Sequence, residues 1–142
     1  MILVEIKTSG LDLESAAEKI SGPAKAKFVA RIADVLYGTM RELAPLKTGF
    51  LRDSIVKYVE NDEAAVGPLA SYASFVEFGT KPHMIFTAGA SCLSFVANGV
   101  RVFTKYVFHP GTRPQPFVKY AVQEAERQGP EIWTKTCEEI VK

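Results

Sequence analysis

The chain has 142 residues and a mass of 15.6 kDa, one domain's worth of sequence, expected to fold as a single domain over 1–142 and to bury roughly 70% of the surface its unfolded form exposes. An apolar fraction of 47% with 23% charged residues excludes wholesale disorder. Seventeen basic against sixteen acidic residues leave a net charge of +1, which argues against a protein that coats nucleic acid through neutralised phosphates.

From the start, Leu3 to Ile6 reads as a short strand followed by a turn at Ser9-Gly10. Leu11 to Ile20 predicts a brief helix, interrupted by Ser21-Gly22-Pro23. Proline suits the first position of a new helix. Phe28, Ile32, Leu36, Met40 and Leu43, widened by Val29 and Ala33, predict an amphipathic helix of about five turns that ends before Pro45. After a turn at Lys47-Thr48-Gly49 the pattern changes to short β segments. Ser54 to Glu60 and Ala64 to Gly67 flank a turn at Asn61-Asp62. Tyr72 to Phe78 predicts a short helix closed by Gly79 in a left-handed cap.

Met84 to Thr87 predicts another strand, and Ser91–Ala97 with Val100–Phe108 flank Asn98-Gly99, the best hairpin signal in the chain. Three prolines and a glycine make His109 to Pro116 a stiff extended loop. Pro116 opens a helix through Gln128, and Gly129-Pro130 separates it from a last helix ending near Val141. The expected fold is α+β: a long N-terminal amphipathic helix and C-terminal helices packed on an antiparallel β-sheet.

Catalytic and metal signals are thin. His83 and His109 could join Glu77 as a metal triad, but nothing fixes their spacing and no HExxH pair exists. Ser54, Ser71, Ser74, Ser91 and Ser94 lie in no GxSxG elbow, and no glycine-rich phosphate cradle is present. Cys92 and Cys137 show no CxxC spacing and read as small buried side chains. Glu77, behind apolar Phe75 and Val76, reads as a buried carboxylate paired with an arginine. The expectation is no enzyme, no cofactor and no metal. Without a basic leader or an apolar run of roughly 18 residues, a cytosol-like compartment and no membrane are expected. Two alternatives remain: a small nucleic-acid-binding module using Arg101, Lys105, Arg113 and Lys119, and a small hydrolase or metal-dependent enzyme built around Glu77, His83 and His109.

Three segments in order carry more information. They are Ala44-Pro45-Leu46-Lys47-Thr48-Gly49-Phe50-Leu51-Arg52-Asp53-Ser54-Ile55; then Val66-Gly67 with Tyr72-Ala73-Ser74-Phe75-Val76-Glu77-Phe78-Gly79-Thr80; then His109-Pro110-Gly111-Thr112-Arg113-Pro114-Gln115-Pro116-Phe117. Together they resemble the neck, or tail-component, family of long-tailed bacteriophages, over nearly the whole chain. Lys47 departs from the pattern, where an acidic or polar residue is more usual.

The motif residues have structural jobs on physical grounds. Pro45 stops the helix, Gly49 permits the reversed turn after Thr48, and Leu51 and Ile55 commit the next strand, with Ser54, to the core. Arg52 and Glu77 are charges set in apolar motifs and are expected to pair. Tyr72, Phe78, Gly79 and Thr80 form and close the aromatic helix, and Pro110, Gly111 and Pro116 stiffen the loop that lets Phe117 anchor the last helix.

The resemblance implies a structural virion protein of the head–tail junction, assembled in the host cytoplasm or encoded by a prophage. Its partners would be itself, in a six- or twelvefold ring, and the neighbouring head-connector and tail proteins. DNA would pass without specific binding, and no small-molecule substrate is implied. Lys81 to Phe108, with its alternating polar residues, is the expected inter-subunit or lumen-facing hairpin.

Overall fold

The amphipathic stretch forms the centre of the molecule. In the computed structural model, which describes residues 2–7 and 22–141, helix α1 runs Gly22–Leu43 and buries Ala24, Phe28, Val29, Ile32, Ala33, Leu36 and Met40. Pro23 sits in its first turn, where a missing N–H breaks no bond. Leu43, expected in the apolar stripe, is 45% exposed, and Ala44 takes the inward place at the point where the helix stops ahead of Pro45. The helix expected over 11–20 lies outside the described residues.

Against α1 lies a three-stranded antiparallel sheet of β1 (Val4–Lys7), β2 (Ile55–Glu60) and β3 (Glu63–Pro68), in the order β1-β3-β2. Val4 stands opposite Val66, Tyr58 opposite Ala65 and Glu60 opposite Glu63. The two-residue side-chain period decides the faces. Ala64, Val66 and Pro68 are buried, and Lys57, level with Val66, reaches Asp34 on α1 in an ion pair. Val56, Tyr58 and Glu60 therefore point to the far side, which no helix of the described residues covers. Gly67 is required by packing, since a Cβ there would sit 2.0 Å from the Ile2 carbonyl oxygen.

Phe50–Asp53 is a single helical turn, α2, where the sequence reads as the lead-in to a strand; Leu51 enters the core from this turn and only Ile55 from β2. Gly49, at φ 83°, reverses the chain just before it. Helix α3 spans Ala73–Phe78, and Gly79 follows it with positive φ but ψ −178°, so the chain leaves extended rather than in a left-handed cap.

Strands β4 (His83–Phe86), β5 (Leu93–Ala97), β6 (Val100–Thr104) and β7 (Tyr106–His109) form an arm of two nested antiparallel ladders, β4 with β7 and β5 with β6. Asn98 and Gly99 turn it with φ 51° and 79°, the two positive values a two-residue hairpin turn needs. The strand expected over 100–108 is broken at Lys105. One residue there faces the longer connection 87–92 on the other side, and that mismatch kinks the arm between its ladders.

Helix α4 spans Phe117–Val141 without interruption, although Pro130 lies inside it and predicted a break after Gln128. Proline removes one ladder bond and crowds the preceding turn. Tertiary contacts beyond it hold the helix together. Trp133 meets Phe28 edge-on at 5.1 Å, and Arg31 donates to Thr136 at 2.9 Å and to Glu139 at 2.7 Å. The architecture is α+β as expected, but α4 packs chiefly on α1, so α1 bridges the sheet and the last helix.

Candidate functional site

The first motif builds a self-contained corner. Pro45 follows α1; the Thr48 hydroxyl accepts the Phe50 N–H at 3.4 Å. Ser54 donates from Oγ to the Leu51 carbonyl at 2.7 Å and accepts the Ala70 N–H at 3.3 Å, tying the corner to the chain beyond β3. Tyr72 stacks on Phe50 with centroids 6.2 Å apart.

The second and third motifs interlock. Thr80 and Thr112 form an isolated antiparallel bridge, each N–H donating to the other's carbonyl at 3.1 Å, with their hydroxyls 3.2 Å apart. The glycine before each threonine makes the approach possible. A Cβ on Gly79 would lie 2.5 Å from the Thr112 oxygen, and one on Gly111 would lie 2.2 Å from the Thr80 oxygen; both have positive φ. The two Gly-Thr pairs thus clamp each other at the foot of the arm, three residues outside β4 and β7. The Gln115 N–H adds a bond to the Val76 carbonyl at 2.9 Å. Phe78, by contrast, ends up 72% exposed, and Pro110 is also at the surface.

Glu77 is 4% exposed and is not paired with Arg52. Its two carboxylate oxygens accept the N–H groups of Val118 at 2.9 Å and Lys119 at 3.0 Å. Those are two of the orphan donors in the first turn of α4. The Pro116 carbonyl accepts the first helical bond, from Tyr120, so Pro116 occupies the capping position but has no side-chain acceptor to offer. Glu77 supplies the cap from 41 residues away, and its negative charge suits the positive end of the helix dipole. Phe117, 2% exposed, is driven into the core beside it. Arg52 instead lies near the surface with Nε 3.4 Å from Asp53 Oδ1, while its carbonyl accepts from Arg41. The pairing expected from the sequence fails because a helix terminus out-competes a guanidinium for the buried carboxylate, and no spacing in the chain announces that.

The arm differs from this base in being wet on both faces. Met84, Phe86, Tyr106 and Phe108 line one face of its lower ladder, and Phe95, Val96, Val100 and Phe103 stand out from its upper one, every one of them exposed. The polar alternation expected for this stretch is absent. Among the described residues no other element packs substantially on either ladder. His83 and His109 sit opposite each other in register with ring centroids 5.2 Å apart. Their Nδ1 atoms are engaged with the Lys81 carbonyl and the Gly111 N–H. The triad with Glu77 is not assembled, and among the described residues no three His, Cys, Asp or Glu side chains converge to hold a metal. Cys92 is exposed and Cys137 partly so, contrary to the buried places expected for them. No helix of the described residues is long and apolar enough to cross a membrane.

Arg101, Lys105, Arg113 and Lys119 are all exposed and none is in an ion pair among the described residues. Charge is unevenly divided along the chain. Residues 78–123 hold five of the seventeen basic residues and none of the sixteen acidic ones, so the overall +1 splits into +5 for that stretch and −4 for the remainder.

Turns, close backbone approaches and a helix cap build a base that presents an apolar arm. Residues 11–79 match the family described as "Bacteriophage HK97-gp10, putative tail-component". The match covers just under half of the chain and includes the first motif and the second as far as Gly79, in keeping with the resemblance read from the sequence; the arm and the third motif lie beyond it. No curated protein and no solved structure gives a significant match.

Proposed function

We propose that this protein is a structural subunit of a bacteriophage or prophage tail, acting at the head–tail junction as one member of a closed ring and carrying out no bond chemistry. The arm is the observation that carries the reading. Two-stranded ladders with eight exposed apolar side chains gain little from standing alone in water, and apolar surface of that kind is kept where another chain covers it. The likeness to a phage tail-component family supplies the setting. In it the ring joins or completes the tail, with neighbouring head-connector and tail proteins on its two sides and DNA passing through the middle. The stiff proline loop and the Gly-Thr clamp would aim the arm at the next subunit.

Native mass spectrometry across a wide concentration range tests this. A discrete closed species of six or twelve copies is the expected result. A strict monomer at every concentration would count against self-assembly and favour the second reading, a nucleic-acid module built on the exposed cations Arg101, Lys105, Arg113 and Lys119. Steeply salt-dependent binding to duplex DNA would then be its signature.

A further inference from the structure

The ring reading leaves open what the arm touches. We infer that the arm of one copy lies across the face of the three-stranded sheet that no helix of the described residues covers, and its acidic turn, in the next copy. This rests on the proposed ring and names its contact.

The receiving face follows from the register. Val56, Tyr58 and Glu60 of β2, Ala65 and Glu63 of β3, and Glu5 of β1 share the side of the sheet turned away from α1. Its middle row is small at Ala65, while the Ile2–Leu3 backbone fills the space over Gly67. An open groove of about 250 Å³ runs there, lined by Glu5, Tyr58, Glu60, Asp62 and Glu63 among others. Tyr58, Ala64 and Ala65 supply its apolar lining. Among the described residues, Glu60, Asp62 and Glu63 bring three carboxylates to that lining, and Lys7 stands opposite Glu63.

The arm is complementary in both respects. Its strands offer aromatic and branched side chains on both faces, and the only charges between His83 and His109 are Arg101 and Lys105. Opposite potentials on two different surfaces of one chain favour a head-to-tail contact, and a head-to-tail contact closes into a ring when its rotation permits. A DNA duplex fits the arm poorly, since phosphate binding draws on cations and here two cations stand among eight exposed apolar groups.

Charge reversal separates the possibilities. The arm variant is Arg101→Glu with Lys105→Glu, and the face variant is Glu60→Lys with Glu63→Lys; all four positions are exposed, so thermal melts should show folded protein. Assembly of wild type, each variant and the chain carrying all four changes is followed by native mass spectrometry and sedimentation. Each variant alone should weaken assembly by about tenfold or more, and the four changes together should restore it to within about threefold of wild type. If wild type forms rings and the single reversals assemble equally well, or the fourfold variant stays as weak as the singles, the contact is elsewhere while the ring stands. If wild type never assembles, the ring and this contact fall together. Should the arm variant lose salt-sensitive binding of a 30-base-pair duplex without any change in assembly, the arm is a DNA contact and the inference is overturned.

Discussion

The arm is richer in apolar residues than the base, yet only the base is a core. In the base, Phe28, Leu36, Met40, Val66 and Phe117 are each at most 3% exposed. In the arm, Phe86, Phe103 and Phe108 are each at least 60% exposed. Two layers of secondary structure face each other across the base, whereas the arm is a ribbon one layer thick and cannot hide either side from water. Hydrophobic composition therefore states how much surface wants covering, and topology states whether this chain can cover it alone.

Truncating aromatic side chains should separate the two regions most widely. Phe117→Ala is expected to lower stability by about 4 kcal/mol in urea melts, and Phe103→Ala to leave the unassembled chain within about 0.5 kcal/mol of wild type. Equal losses at the two sites would mean that the arm has a hidden partner within its own subunit.

Backbone constraints should show the next largest contrast. Gly111→Ala combines positive φ with a contact of 2.2 Å to the Thr80 oxygen, and should cost about 3 kcal/mol. Gly99→Ala also has positive φ, but nothing lies within 4 Å of the new methyl group. It should disturb the hairpin tip by about 1 kcal/mol and leave the global unfolding transition in place. Hydrogen exchange reads the tip and chemical denaturation the whole.

The cap follows. Glu77→Ala strands two buried N–H groups of α4 and should cost about 2 kcal/mol, while Arg52→Ala should cost under about 1 kcal/mol. A reversal of that order would reinstate an Arg52–Glu77 pair.

The smallest effect is electrostatic and belongs to the base. Hydrogen bonds from Lys27 and then Arg31 lower the Glu139 pKa from 4.5 to about 2. A depressed folded-state pKa means that the unfolded chain binds protons more readily, so this contribution is present above pH 4.5 and fades as pH falls toward 2. Melting temperatures between pH 5 and pH 2 should decline less steeply in Glu139→Gln than in wild type; parallel curves would show that the contact between α1 and α4 does not depend on this carboxylate.

Much of this was legible in the sequence, element by element. The stripe from Phe28 to Met40 and the Asn98-Gly99 hairpin were readable because each is fixed by a local period or by a turn chemistry, whereas the aromatics of Tyr72 to Phe78 suited a strand as well as the helix they form. The misreadings share a cause. Pro130 should have ended a helix, but Trp133, Thr136 and Glu139 hold the far half against α1. Leu51 reads as strand and sits in a helical turn, because a four-residue turn carries too few positions for a period. Arg52 and Glu77 looked like partners since both are charges in apolar settings, whereas the partner of Glu77 is a pair of backbone groups that no sequence displays.

By itself the sequence determined the α+β class, the places of most turns and three motifs that resemble those of phage tail components, since these follow from local propensity and residue order. Only the tertiary structure decided that two Gly-Thr pairs clasp each other, that a remote carboxylate caps the last helix, and that the arm is left uncovered. Each depends on which backbone groups and surfaces meet across long separations in the chain, and that is settled by packing rather than by any neighbour in sequence.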